Sequence, residues 1–374
     1  MKKLALAFIP FLVAGFTMIH QSSSQPGSSP MYENQYDGPY VLYRNDEVFV
    51  KYVLGDTMLN SIKVDSMKLS EKPGISLTVS TDLPGKTFSV QLKNKLQNEK
   101  SEYGKVSKMT VISDIEGNFA AFRKLLQNCA VIDSNFNWTF GNGHLVLTGD
   151  FFDRGDKVTE VLWLIYSLEE KAKAAGGYVH FVLGNHEIMN LSGDLRYLLP
   201  KYLKNAGLLN ENYMGGLYGV QSEIGRWLRT KNIVEKVGGI LFAHGGISAE
   251  INNMDISLNK INELSRPFYS DTSYVYPDQR IDTIYSDFGP FWYRGYYTST
   301  RKAPVTQIET TLEKFNVKKI ATGHTVISDT ISVLHNGKLI NTDVHHAGGH
   351  SEALFIEGGK YFRVTIHGEK FPLM

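Results

Sequence analysis

From Met109 onward the chain repeats one arrangement: a short, almost wholly apolar run ends abruptly in a cluster of acidic, amide or imidazole side chains. The runs are Met109-Thr110-Val111-Ile112, His144-Leu145-Val146-Leu147, Val179-His180-Phe181-Val182-Leu183 and Ile240-Leu241-Phe242-Ala243. Runs of this length and composition suit strands buried on both faces. Helical patterns, Phe119 to Cys129 and Val158 to Ala175, lie between them, so the order predicts an α/β fold. In such folds ligands bind beyond the carboxyl ends of the strands. The polar clusters are therefore the candidate site.

Five segments carry that chemistry: Ser113-Asp114-Ile115-Glu116-Gly117-Asn118, Gly149-Asp150-Phe151-Phe152-Asp153-Arg154-Gly155, Gly184-Asn185-His186-Glu187, His244-Gly245-Gly246 and Gly323-His324-Thr325. Any one of them alone reads as a turn or a cap. Together, on one scaffold, they supply the carboxylates, amide oxygen and imidazoles that two neighbouring cations require.

The order and form of these segments resemble the calcineurin-like metallophosphatases. The Asp-Arg-Gly and Asn-His-Glu triplets resemble the phosphoprotein phosphatase branch of that superfamily. Ser222-Glu223-Ile224-Gly225-Arg226-Trp227-Leu228-Arg229 and Gly289-Pro290-Phe291-Trp292-Tyr293-Arg294-Gly295 are similar to the Shewanella-like phosphatases. The fold this resemblance implies is an α/β metallophosphatase β-sandwich flanked by helices, preceded by a small β-rich module. The cofactors it implies are two divalent metal ions, Mn, Fe, Zn or Mg.

Carried over position by position, the resemblance gives the first metal to Asp114, residue 116 and Asp150, and the second to Asp150, Asn185, His244 and His324. Asp150 then bridges the two, and a hydroxide shared by two Lewis acids is a nucleophile at neutral pH. His186 is read as the general acid on the leaving oxygen, because its side chain and that of Asn185 leave the backbone in different directions. Asp153 is read as its orienting partner. Arg154 and Arg294 are the implied clamps on the phosphoryl oxygens, a planar guanidinium being able to hold two oxygens at once. One position departs from the pattern: the family has His where this chain has Glu116. Either Glu116 is a ligand, giving the first metal an all-oxygen protein shell, or it hydrogen-bonds a metal-bound water.

The reaction so implied is hydrolysis of phosphate monoesters. The substrates are a phosphorylated protein, with tyrosine and serine/threonine left open, or a small phosphomonoester. A nucleotide or dinucleotide polyphosphate hydrolase is the alternative within enzymes. A binding protein on a retired version of the fold predicts loss of His186, Asp153 or Arg154, and all three are present. The formal net charge is +1 with no long basic run, so nucleic acid is not an expected partner.

Met1, Lys2 and Lys3 followed by an apolar run from Leu4 to Ile19 have the layout of a secretory signal. The expectation is export, periplasmic or secreted, with a membrane partner only if the segment stays uncleaved. The division expected is 1–22 signal or anchor, 23–39 spacer, 40–105 β-rich module and charged linker, and 106–374 metallophosphatase domain. The single cysteine, Cys129, has no arginine six positions on and reads as a core thiol. His345, His346 and His350 read as a loop flanking the site mouth, with metal or substrate binding as the other reading. Trp292, Tyr293, Tyr296 and Tyr297 stand open between an aromatic wall for substrate and core packing.

Overall fold

The computed structural model describes residues 36–55, 60–297, 302–346 and 349–374. The segment read as a signal and nearly all of the spacer lie outside the described residues. Among the described residues no helix is long and apolar enough to cross a membrane.

The four apolar runs all become strands, Lys108–Ile112, His144–Thr148, Tyr178–Val182 and Ile240–Ala243. They are shared between two six-stranded sheets. One runs in the order Lys370–Pro372, Lys360–Thr365, Glu352–Glu357, Lys108–Ile112, His144–Thr148, Tyr178–Val182, and its last three strands are parallel. The other runs Ser332–Leu334, Leu339–Asn341, Lys319–Thr322, Ile240–Ala243, Val234–Val237, Glu102–Tyr103. Because strand side chains alternate between faces, Val111, Val146, Val182, Phe242, Ala321 and Ile340 pack into one apolar layer. Their neighbours Ile112, Leu145, Leu147, Leu241 and Ala243 join a separate cluster with the helices. The result is a β-sandwich with helices outside it.

The helix Val158–Ala174 shows what the N-terminal residues do. It has almost no polar face and is buried along nearly its whole length, so something must cover the side turned away from the sheets. Two elements cover it. A three-stranded antiparallel sheet, Asp37–Arg44, Glu47–Gly55 and Asn60–Lys68, lies beside the hairpin of Ser76–Ser80 and Thr87–Gln91. Leu77, Val79, Phe88 and Val90 of the hairpin join the same apolar cluster as Trp163 and Leu164. Trp163 Nε1 donates to the Pro39 carbonyl at 2.7 Å. The hydroxyls of Tyr43 and Tyr166 donate to the buried Glu223 carboxylate at 2.5 and 2.6 Å, and Lys72 Nζ pairs with it at 3.1 Å.

The charged stretch from Lys93 to residue 105, expected to be the linker, is built into the body of the fold. Glu102–Tyr103 forms the sheet edge beside Val234–Val237. The Lys93 ammonium is buried against Glu169, and Lys231 bonds Glu99 at 2.8 Å and Glu169 at 2.6 Å. Charge on a local stretch suggests solvent. Here opposite charges brought from distant positions make burial possible.

Candidate active site

Every polar cluster lies just beyond the carboxyl end of its strand, and tight loops hold it there. Asp114, Glu116, Asp150, Asp153, Arg154 and His324 all have left-handed backbone, with φ of 53°, 48°, 61°, 68°, 54° and 68°. That region costs an L-residue about 1–2 kcal/mol, and such strain concentrates where geometry serves function. Two glycines let the loops touch. A Cβ on Gly149 (φ +83°) would lie 2.6 Å from the Gly184 backbone and from His244 Nδ1, and one on Gly184 would lie 2.3 Å from Asp150 Oδ1.

Glu187, fully buried, locks these loops together. Its carboxylate accepts the backbone N–H groups of Asp150 (2.9 Å), Phe151 (2.7 Å) and Gly184 (2.7 Å). The last of these bonds also caps the helix Asn185–Ser192. Nothing local in the sequence marks Glu187 for this role.

The candidate ligands form two compact groups that share Asp150. Asp150, His244 and His324 make one, and Glu116, Asp150 and His186 the other, with ligand atoms within 4.8 Å of one another in each. His244 Nε2 is 3.0 Å from both Asp150 Oδ2 and Asn185 Oδ1, while its Nδ1 is 2.8 Å from the Thr148 carbonyl. That last contact turns Nε2 toward the centre. Asp114 stands at the wall of the cavity, where its carboxylate accepts the His324 N–H at 3.2 Å. The shared carboxylate is the one expected to bridge two metals.

These charges do not balance among themselves. Burial first, and then the nearby Asp343, push the Asp114 carboxyl well above its ordinary range. Burial, with Asp150 adding to it, pushes Asp343 to about 7 against the pull of His244. Burial alone would lower the His244 pKa, yet Asp150 and Asp114 outweigh it and raise it to about 10. Asp150 goes the other way: burial opposes its ionisation, but His244 and His186 hold it well below the usual carboxylate range. Acids and imidazoles converging in this way are a donor set that two divalent cations fit, because cations offset carboxylate charge that is costly to bury.

His186 presents one nitrogen to each side. Nδ1 lies 2.6 Å from Asp153 Oδ2, and Nε2 lies 3.7 Å from Asp150 Oδ2. Burial would lower its pKa, but Asp150 and the bond to Asp153 outweigh it and raise it. The Arg154 guanidinium is ion-paired with Glu116, so Glu116 contacts the anticipated phosphate clamp and also belongs to a group of candidate metal ligands. Arg294 Nη1 donates to the His324 carbonyl at 2.7 Å and lines the same cavity as Arg154. Asp114, Glu116, Asp150, Arg154, Asn185, His186, Arg294 and His324 line one cavity of about 480 Å³.

Asp343 also lines that cavity and was missed in the sequence. It follows the strand Leu339–Asn341 as the other clusters follow theirs, but a strand of 3 residues is too short to stand out. The histidine cluster divides. His345 is exposed at the cavity, with Nδ1 2.7 Å from Asp329, whereas His346 is buried with Nδ1 2.9 Å from Ser351 Oγ. Of the four aromatics, Tyr293 and Tyr296 are buried in the core. Tyr297 bonds Thr322 at 2.7 Å, and Trp292 packs edge-on against His324. Cys129 is buried, which pushes its thiol to about 12.

Residues 107–328 match the calcineurin-like phosphoesterase family. The crystal structure of the cold-active protein-tyrosine phosphatase of a psychrophilic Shewanella species is similar, with 34% identity, 91% of this chain and 100% of that chain covered, and a TM-score of 0.81. Shewanella-like protein phosphatase 2 of Arabidopsis thaliana is 26% identical over 69% of this chain and 76% of its own length. Shewanella-like protein phosphatase 1 of Plasmodium berghei is 28% identical over 58% of this chain and 61% of its own.

Proposed function

Because the chain belongs to the calcineurin-like phosphoesterase family, we propose that it is a two-metal phosphoprotein phosphatase and that the residues around Asp150 carry its chemistry. One observation carries this reading. The imidazole of His186, braced by Asp153, turns its free nitrogen toward the carboxylate on which both groups of candidate ligands meet.

Asp114, Glu116 and Asp150 would hold one cation, and Asp150, Asn185, His244 and His324 the other, with Asp343 as a further nearby charge. Bound there, divalent metals supply Lewis-acid stabilisation of the phosphoryl group and an acidified water. The protein's own residues do the rest. Arg154 and Arg294 bind the equatorial oxygens, and His186 passes its Nε2 proton to the leaving oxygen while Asp153 keeps Nδ1 protonated. Mn²⁺, Mg²⁺ or Ca²⁺ suits the all-oxygen shell, and Zn²⁺, Fe²⁺ or Mn²⁺ suits the shell with two imidazoles. The similarity to a protein-tyrosine phosphatase supports phosphotyrosine as the favoured side chain.

The test is an assay of metal-stripped and metal-reconstituted protein against phosphotyrosine and phosphothreonine peptides and diadenosine tetraphosphate. Metal-dependent release of phosphate from a peptide supports the reading. Turnover of the dinucleotide alone overturns it in favour of a polyphosphate hydrolase. Export of the chain is proposed on Lys2, Lys3 and the apolar run to Ile19; cell fractionation that finds the intact N-terminus in the cytosol refutes it.

A further inference from the structure

We propose that Tyr197 is a specificity-determining residue: its exposed ring packs on the aromatic ring of the leaving group and so selects aryl over alkyl phosphates. This rests on His186 being the group that protonates the leaving oxygen. An oxygen within hydrogen-bond reach of His186 Nε2 carries its substituent past the edge of the imidazole. An exposed ring beside that imidazole can therefore meet the leaving group.

Tyr197 stands there. Its ring centroid is 5.1 Å from that of His186, with the planes tilted by 43°. His186 is buried, yet Tyr197 is 43% exposed. Two guanidinium groups flank the ring. The Arg154 guanidinium sits 5.0 Å from its centroid and that of Arg196 at 5.7 Å. Arg196 is itself fixed by Asp194 at 2.7 and 2.8 Å. The Tyr197 carbonyl accepts the Arg154 N–H at 3.1 Å, tying the ring to the residue that would grip the phosphate. Among the described residues its hydroxyl has no side-chain or backbone partner.

The ring is thus flanked by fixed neighbours, 43% exposed, and beside both the proton donor and one clamp. Those are the properties of a stacking platform for a second ring, which prefers centroid separations of about 4.5–7 Å. A seryl or threonyl phosphate has no ring to offer it. The aromatics between Trp292 and Tyr297 do not compete for this role, since they are packed in the core or engaged with His324 and Thr322.

The experiment measures kcat and KM of the metal-loaded full-length protein on phosphotyrosine and phosphothreonine peptides of identical flanking sequence, for the wild type, Tyr197→Ala and Tyr197→Phe. Loss of one aromatic pair is worth roughly two- to tenfold. Tyr197→Ala is expected to lower the ratio of kcat/KM for phosphotyrosine over phosphothreonine by about that factor, mainly through KM. Tyr197→Phe, which keeps the ring, is expected to retain the wild-type ratio. Equal losses on both peptides, or no change in the ratio, overturn the proposal and leave the phosphatase reading standing. Wild-type protein that hydrolyses neither peptide overturns the phosphatase reading, and this one with it.

Discussion

His186 Nδ1 and Asp153 Oδ2 are 2.6 Å apart in a fully buried contact, and Asp153 reaches it from a left-handed backbone with φ 68°. The bond fixes which ring nitrogen carries the proton toward the centre. His186→Ala should keep its bound metal while kcat on a poor leaving group falls by roughly 10² to 10⁴. Asp153→Asn should fall in the same direction through the wrong tautomer, and Asp150→Ala should lose metal as well. Elemental analysis beside the kinetics decides the point. Metal lost from His186→Ala makes His186 a ligand of the Glu116–Asp150 group and removes it as the acid.

Glu116 faces two ways, toward Arg154 and toward Asp150 with His186. In Glu116→His a neutral imidazole replaces a carboxylate, so the positive charge at the centre rises by about one unit and the bound water becomes more acidic. The expected outcome is a shift of metal preference toward Zn²⁺ or Fe²⁺ and a lower pH optimum. Unchanged metal content, preference and optimum together show that Glu116 does not ligate a metal.

Glu160 offers a stability test away from the site. It is fully buried; among the described residues one oxygen has no partner, and the other is 3.3 Å from Lys157. Burial first raises its carboxyl from 4.5 to about 7, with Asp37 adding to it and Lys157 opposing. A folded-state pKa raised in this way gives stability that is present below the unfolded value and lost as pH rises through the folded one, here between about 4.5 and 7. The full loss is about 3 kcal/mol. Glu160→Gln should therefore melt higher than the wild type at pH 8, with the gap narrowing toward pH 5. A gap independent of pH refutes the assignment.

Glu187 accepts three backbone N–H groups in a place no water reaches. Glu187→Ala should cost at least about 3 kcal/mol, since it leaves three buried donors unpaired at about 1–3 kcal/mol each. Because Gly184 and Asp150 are both released, metal affinity should fall with stability. A thermal melt and a metal titration on the same variant test this. Unchanged metal affinity in a folded variant means the loops hold their shape without Glu187.

The strands Lys108–Ile112, His144–Thr148, Tyr178–Val182 and Ile240–Ala243, and the chemistry just beyond each, were legible in the residues because both signals are local. An aliphatic run resists water wherever it lies, and a tight loop at its end needs Gly and Asp close by in the chain. Tertiary structure alone decided what depended on distant partners. Lys93 and Lys231 are buried because Glu99 and Glu169 meet them there. The helix Val158–Ala174 sheds its polar face because residues from Pro39 to Val90 cover it. Asp343 joins the cavity from a strand too short to announce itself, and Glu187 earns its role from N–H groups on other loops. Tyr197 stands beside His186 only because the chain between them turns back, so their separation of 11 positions carries no trace of a ring contact at 5.1 Å.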